Sequence, residues 1–159
     1  MATIDHPVRI SRGSSEDLDA VMTVMESAFG TRFGEAWTRS QCAGILPMAG
    51  VSLSLARDSR TGETMGFSLV RSVSDESELL LIAVSPDRRR EGVGRGLLHH
   101  FLDDARFEGV KRAHLEVRDG NPAIHMYRRA GFEPIGRRRN YYRGDDGSQF
   151  DALTFALDL

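Results

Sequence analysis

Apolar residues along the chain change rhythm several times, and each change marks an element. Val8 to Ser11 reads as a short first strand. Ser14-Ser15-Glu16-Asp17 then offers an N-cap hydroxyl and first-turn acids. Leu18, Val21, Met22, Met25 and Phe29 follow at helical spacing, predicting an amphipathic helix packed on a sheet. Trp37-Thr38 opens a second, shorter helix, with Thr38 as its cap, running to about Leu46 before Pro47. Val51-Ser52-Leu53-Ser54-Leu55 alternates with period two, the pattern of a half-buried strand. Across the polar turn Asp58 to Glu63, Met65 to Val73 returns as the partner strand of a hairpin.

The second half of the chain mixes strands with helices. Leu79 to Val84 is apolar on both faces, as a central strand should be. Gly92 to Phe107 predicts a helix with Val93, Leu97, Leu98, Phe101, Leu102 and Ala105 on its inner stripe. His114 to Val117 is a further strand. Pro122 suits the first turn of a helix that ends at Ala130, with Gly131 as its stop. Ile135 to Tyr142 and Phe150 to Leu157 are two last strands around the turn RGDDGSQ. With no repeat, linker or low-complexity segment, the expectation is one α/β (α+β) domain over residues 1–159. Its early strands are joined by hairpins and its later ones by helices.

Charge and cysteine usage narrow the classes. A formal net charge of −2 argues against a general nucleic-acid binder, although Arg88 to Arg90 and Arg137 to Arg139 form two basic clusters. The longest apolar run, Leu79 to Val84, falls far short of the roughly 20 residues that span a bilayer. The chain opens without a secretory leader, and its lone Cys42, a small buried hydrophobe, excludes an internal disulfide. A cytoplasmic protein without a membrane partner is expected. His99 and His100 are adjacent on their helix and diverge, and His114 and His125 lack partners at ligand spacing, so no metal is expected.

One stretch carries chemistry on its face. After LLLIAV and the pair Ser85-Pro86 comes RRREGVGRGLL, in which arginines run into Gly92, Gly94 and Gly96 at the start of a helix. The first N–H groups of a helix lack internal acceptors and carry partial positive charge, and glycines let an anion approach the main chain closely. Arg89-x-x-Gly92-x-Gly94 therefore makes an anion site that would suit a pyrophosphate. A nucleotide-triphosphate loop would need a lysine after its last glycine, which is missing. A dinucleotide fingerprint would need glycine where Leu97 stands. A solvated arginine turn with packing glycines remains the plain alternative.

LLLIAVSPDRRREGVGRGLL, followed by HLEV and MYRRAGF, resembles the GNAT family of acetyl-CoA-dependent N-acetyltransferases. The likeness covers the whole chain in element order and is densest from Glu78 to Phe132. It implies a mixed, mostly antiparallel central sheet flanked by helices, with acetyl-CoA as cosubstrate. By the resemblance, Arg89, Arg90, Gly92, Val93, Gly94, Arg95 and Gly96 hold the coenzyme pyrophosphate. Main-chain groups of Ile82, Ala83 and Val84 bind the pantetheine arm and acetyl carbonyl, and Asn121 contacts the arm. Glu116 of the LEVR motif is then the general base and Tyr127, shortly before Gly131-Phe132, the general acid. The family spaces its asparagine one residue further from the tyrosine than Asn121 stands from Tyr127. Residue patterns alone also allow Glu116 as a surface carboxylate paired with Arg118 or Lys111, and Tyr127 as a core tyrosine.

The tail bears on the acceptor. RRRNYY from Arg137 to Tyr142, the closing DALTFALDL, and Trp37-Thr38 resemble the branch of the family that acetylates the N-terminal alanine of a ribosomal small-subunit protein. The resemblance implies a protein or peptide N-terminus as partner, gripped by Trp37, Arg138, Arg139 and Tyr141, while the net charge of −2 argues against direct nucleic-acid contact. Plain readings of RRRNYY are a solvated edge strand or an RNA-touching patch. Two other functions stay open: acetylation of a small amine or lysine side chain, and a coenzyme A-binding module without turnover.

Overall fold

A computed structural model describes residues 7–159. In chain order the elements are β1 (Val8–Gly13), α1 (Leu18–Phe29), α2 (Arg39–Ile45), β2 (Val51–Asp58), β3 (Thr64–Val73), β4 (Glu76–Val84), α3 (Val93–Phe107), β5 (Arg112–Arg118), α4 (Ile124–Arg129), β6 (Glu133–Arg143) and β7 (Gln149–Asp158). All seven strands join one sheet in the order β1-β2-β3-β4-β5-β7-β6. Only β4 and β5 run parallel; every other pair is antiparallel. The expected mixed, mostly antiparallel sheet is present. β1 and β2 depart from the hairpin expectation, because α1 and α2 lie between them in sequence.

Helix starts follow their local chemistry. Thr38 Oγ1 accepts from Gln41 N at 3.1 Å while Thr38 N donates to Gln41 Oε1 at 2.8 Å, a reciprocal cap for α2. Ser14 is the cap, with Glu16 and Asp17 in the first turn as expected, and that turn is a 3₁₀ turn over Ser15–Asp17 that leads into α1. α4 starts later than Pro122 suggested, because Asn121 Oδ1 accepts from Ala123 N at 2.9 Å and holds that segment in a turn. Gly131, at φ +103°, ends it as expected.

The sheet separates two apolar layers. On one face Leu18, Val21, Val24 and Met25 of α1 pack on Leu53, Leu55, Phe67, Leu69, Leu81 and Ala83. On the other, Leu98, Phe101 and Leu102 of α3 and Tyr127 of α4 meet Leu79, Leu115, Val117 and Phe155. Leu79 and Leu81 belong to opposite layers although two positions apart, where regular alternation would put them on one face. The cause is a bulge: Leu69 pairs with Leu81 and Val70 with Leu79, leaving Leu80 as the extra residue. Pairing of β4 with β5 stops at the same place, at Leu79 opposite Leu115. Beyond it the two parallel strands diverge and a wedge opens between them. Among the described residues no helix is long and apolar enough to cross a membrane.

Candidate active site

The wedge is lined by Leu80 and Ile82 from β4, Glu116 from β5, Tyr127 from α4 and Tyr142 from β6. Glu116 and Tyr127, the expected base and acid, therefore share one cleft, and the shortened segment before Tyr127 does not turn it away. Tyr127 is 5% exposed. Burial, followed by the neighbouring Tyr142 and Glu35, pushes its phenol well above the ordinary tyrosine range.

Glu116 pairs with neither Arg118 nor Lys111. Its Oε2 accepts from Thr154 Oγ1 at 2.7 Å, across the β5–β7 ladder, and its Oε1 lies 3.0 Å from Arg138 Nε. The Arg138 side chain is 61% exposed while the Glu116 side chain is 12% exposed. A partner so open to water is easily released, which leaves the carboxylate available to an incoming group. Arg138 is thus a partner of the expected base, where the family likeness implied a grip on the acceptor.

At the anion site, β4 runs through a 3₁₀ turn at Pro86–Arg88 into α3. The three arginines divide their work. Arg88 is held by Asp58, Glu63 and Glu91. Arg89 Nη2 donates to Ala28 O at the end of α1, 3.1 Å away, so its guanidinium caps a helix rather than facing a ligand. Arg90 and Arg95 have no ion-pair partner among the described residues. Arg90 and Gly92 both take the left-handed conformation, at φ +69° and +79°. Gly96 N is already donated to Gly92 O at 2.9 Å, so Gly96 drops out of the expected set of free donors. The amides of Val93, Gly94 and Arg95 precede it and remain without intrahelical acceptors. Val93 is buried and can offer a ligand only its main chain. Free amides, a left-handed turn and two unpaired guanidiniums fit a diphosphate. The cleft edge of β4 beyond Leu79, through Ile82, Ala83 and Val84, lacks a β5 partner, which fits an extended amide-bearing arm beside it.

Other expected contacts fall differently. Asn121 Oδ1 caps the turn before α4, and its Nδ2 donates to Glu35 Oε2 at 2.9 Å, so its side chain is committed within the fold. Trp37 packs against the α1 layer rather than lining the wedge. Arg139 is exposed. Tyr141 is half exposed, whereas Tyr142 lines the cleft, its phenol pushed up by burial and then by Tyr141, Glu35 and Glu116. Tyr142 lies four positions from Arg138, which reaches Glu116, so both share the cleft side of β6 although the pairing between them is irregular around Asn140, at φ +53°. Sequence reading also missed Glu35 and Arg118. Their side chains are only 11% and 10% exposed, with Glu35 Oε1 3.2 Å from Arg118 Nε.

The profile of the Acetyltransferase (GNAT) family matches residues 18–132. The chain belongs to the GNAT acetyltransferase family. As a GNAT protein it is an acetyl-CoA-dependent N-acetyltransferase, which sets aside the module without turnover. It is 35% identical over 151 residues to the [ribosomal protein bS18]-alanine N-acetyltransferase of Salmonella typhimurium, covering 94% of this chain and 97% of that one. The enzyme of the same name from Escherichia coli is 42% identical over 101 residues, 63% of this chain and 68% of its own. The crystal structure of the ribosomal-protein-S18-alanine N-acetyltransferase from Escherichia coli superposes with a TM-score of 0.85 at 33% identity, covering 95% of this chain and 93% of that one. These similarities are to enzymes named for an alanine of a ribosomal protein.

Proposed function

We propose that this GNAT enzyme, working as one unit over residues 1–159, transfers acetyl from acetyl-CoA to a protein N-terminal α-amine, the N-terminal alanine of a ribosomal protein. The observation that carries the reading is the meeting of Glu116 and Tyr127 in one cleft, with the start of α3 at Gly94 against Val84 of β4 and Met126 of α4. Relatives bearing that acceptor in their names supply the choice of amine.

Bound acetyl-CoA supplies an activated acyl group whose thioester carbonyl is the electrophile. The chain's own residues do the rest. An α-ammonium, with an ordinary pKa of about 7.7–8.0, must lose a proton before its lone pair can attack. Glu116, steadied by Thr154 and exchanging its exposed Arg138 partner for the amine, receives that proton directly or through a held water. As the C–N bond forms and the C–S bond breaks, Tyr127 gives a proton to the departing sulfur. Its burial raises the phenol above the ordinary tyrosine range, which keeps that proton on oxygen until the sulfur departs. The amides of Val93, Gly94 and Arg95, with the Arg90 and Arg95 guanidiniums, hold the diphosphate, and the open edge of Ile82 to Val84 meets the arm.

A peptide panel tests this. With acetyl-CoA, a peptide with free N-terminal alanine should release thiol, and the same peptide with a blocked N-terminus should not. A small amine or an internal lysine outperforming every free N-terminus would overturn the acceptor assignment. Glu116→Gln should lower kcat by about 10²–10⁴-fold, the usual share of one acid–base group.

A further inference from the structure

Glu35 has no regular structure to support it, lying in the loop between α1 and α2, yet its side chain is almost buried. A carboxylate so placed costs several kcal/mol unless paired. Both of its oxygens are engaged. Oε2 accepts from Asn121 Nδ2 at 2.9 Å. Oε1 lies 3.2 Å from Arg118 Nε, close enough for an ion pair, though the buried N–H does not point at it as a hydrogen bond would. The same loop sends Phe33 under Arg118, with the guanidinium carbon 3.5 Å from the ring centroid. Phe33 in turn meets Phe150 of β7 edge-on at 5.1 Å.

From Asn121 the contacts lead to the acid. Asn121 Oδ1 accepts from Ala123 N, and Ala123, the residue that caps α4, has no side-chain group of its own to offer. Tyr127 N then donates to Ala123 O at 3.1 Å. α4 is six residues long, too short to hold its own start in place. Glu35 differs from Glu116 in a decisive way: its cationic partner is buried, whereas Arg138 stands in water. A proton acceptor needs a partner that can leave, and Glu35 does not have one.

We propose that Glu35 is a positioning residue for Tyr127: through Asn121 it fixes the turn that presents the phenol, and through Arg118 it ties that turn to the α1–α2 loop. The proposal rests on the reading of Tyr127 as the acid. It also assigns the committed Asn121 a purpose, since a segment one residue shorter than the family's pattern serves the loop contact instead.

A double-mutant cycle between Glu35 and Tyr127 decides it, with the full chain, acetyl-CoA and the alanine peptide. Glu35→Ala should lower kcat by about 10–100-fold, the scale of a misplaced catalytic group. Affinity for acetyl-CoA, read by calorimetric titration, should stay within about twofold, and Glu35→Gln, which can still accept from Asn121, should recover most of the rate. In a Tyr127→Phe background the same Glu35→Ala change should cost less than about twofold, because the group it positions is gone. An equal loss in both backgrounds would overturn the proposal and leave the acid reading intact. A Tyr127→Phe enzyme at the parental rate would remove the acid reading, and this inference with it. If Glu35→Ala fails to fold, Asn121→Ala breaks the same link from its other end and takes its place in the kcat cycle.

Discussion

Glu116 and Tyr127 occupy opposite electrostatic settings within one cleft. The carboxylate has a cation and a hydroxyl on its two oxygens; the phenol has burial, then Tyr142 and Glu35, all favouring its neutral form. Because the folded-state value of the phenol is raised, its proton stays on past the ordinary tyrosine range. The pH–rate profile should accordingly show no falling limb from phenol ionisation up to about pH 10. The same sign governs stability. Unfolded tyrosine ionises near pH 10 while buried Tyr127 and Tyr142 do not, so urea midpoints should fall as pH rises above about 10 and hold below it. Between the adjacent tyrosines, Tyr142→Ala should raise the peptide KM by about tenfold, the scale of a buried aromatic contact, and Tyr141→Ala much less. At this scale the sequence singled out Glu116 and Tyr127, which the fold brings to one cleft, because LEVR and the Tyr-x-x-x-Gly-Phe spacing are local. It concealed which of the adjacent tyrosines faces inward, since RRRNYY carries no aliphatic position to mark a buried side. Glu35 was concealed too: a polar residue beside a loop glycine reads as solvated, and its partners, Arg118 of β5 and Asn121 in the turn before α4, are distant in the chain.

Between β4 and α3, two glycines have separable purposes. Gly92 sits at φ +79°, and a Cβ there would meet only Arg95 Nη2 at an ordinary 3.7 Å, so its demand is conformational; an L-residue there costs about 1–2 kcal/mol. Gly92→Ala should weaken acetyl-CoA by about 5–30-fold if the turn gives way, or lower stability by the same energy if it does not, which calorimetric titration and thermal melts together will show. Gly94 has ordinary backbone, and a Cβ would rest 3.5 Å from Met126 Sδ and Val84 Cγ2, in normal contact. The fold therefore has no need of glycine there. Gly94→Ala should melt with the parent protein yet bind acetyl-CoA less tightly, the mark of a position kept bare for a ligand. The arginine–glycine turn was readable because glycine and arginine punctuate a sequence strongly. The Leu80 bulge was not, because LLLIAV is apolar at every position and gives no period to reveal an extra residue.

Across the whole molecule, stability comes from two apolar layers on one sheet, and the sequence forecast both from the stripes of α1 and α3. Phe155 is fully buried in the α3-side layer. Phe155→Ala should cost about 3–5 kcal/mol, lowering the melting temperature by roughly 6–20 °C in a scanning calorimeter. The strand order itself was not readable from the pattern, since β7 enters between β5 and β6 only through pairings far apart in sequence. That order has a mechanical side. Four strands lie on one flank and three on the other, and the parallel seam between them consists of four residue pairs, Glu76 with Arg112 through Leu79 with Leu115. Past Leu79 the flanks are unzipped, so a cosubstrate lodged there, as proposed, would act as a suture. Each turnover would tighten and then slacken the join, and the rhythm of catalysis would be written into the rigidity of the sheet.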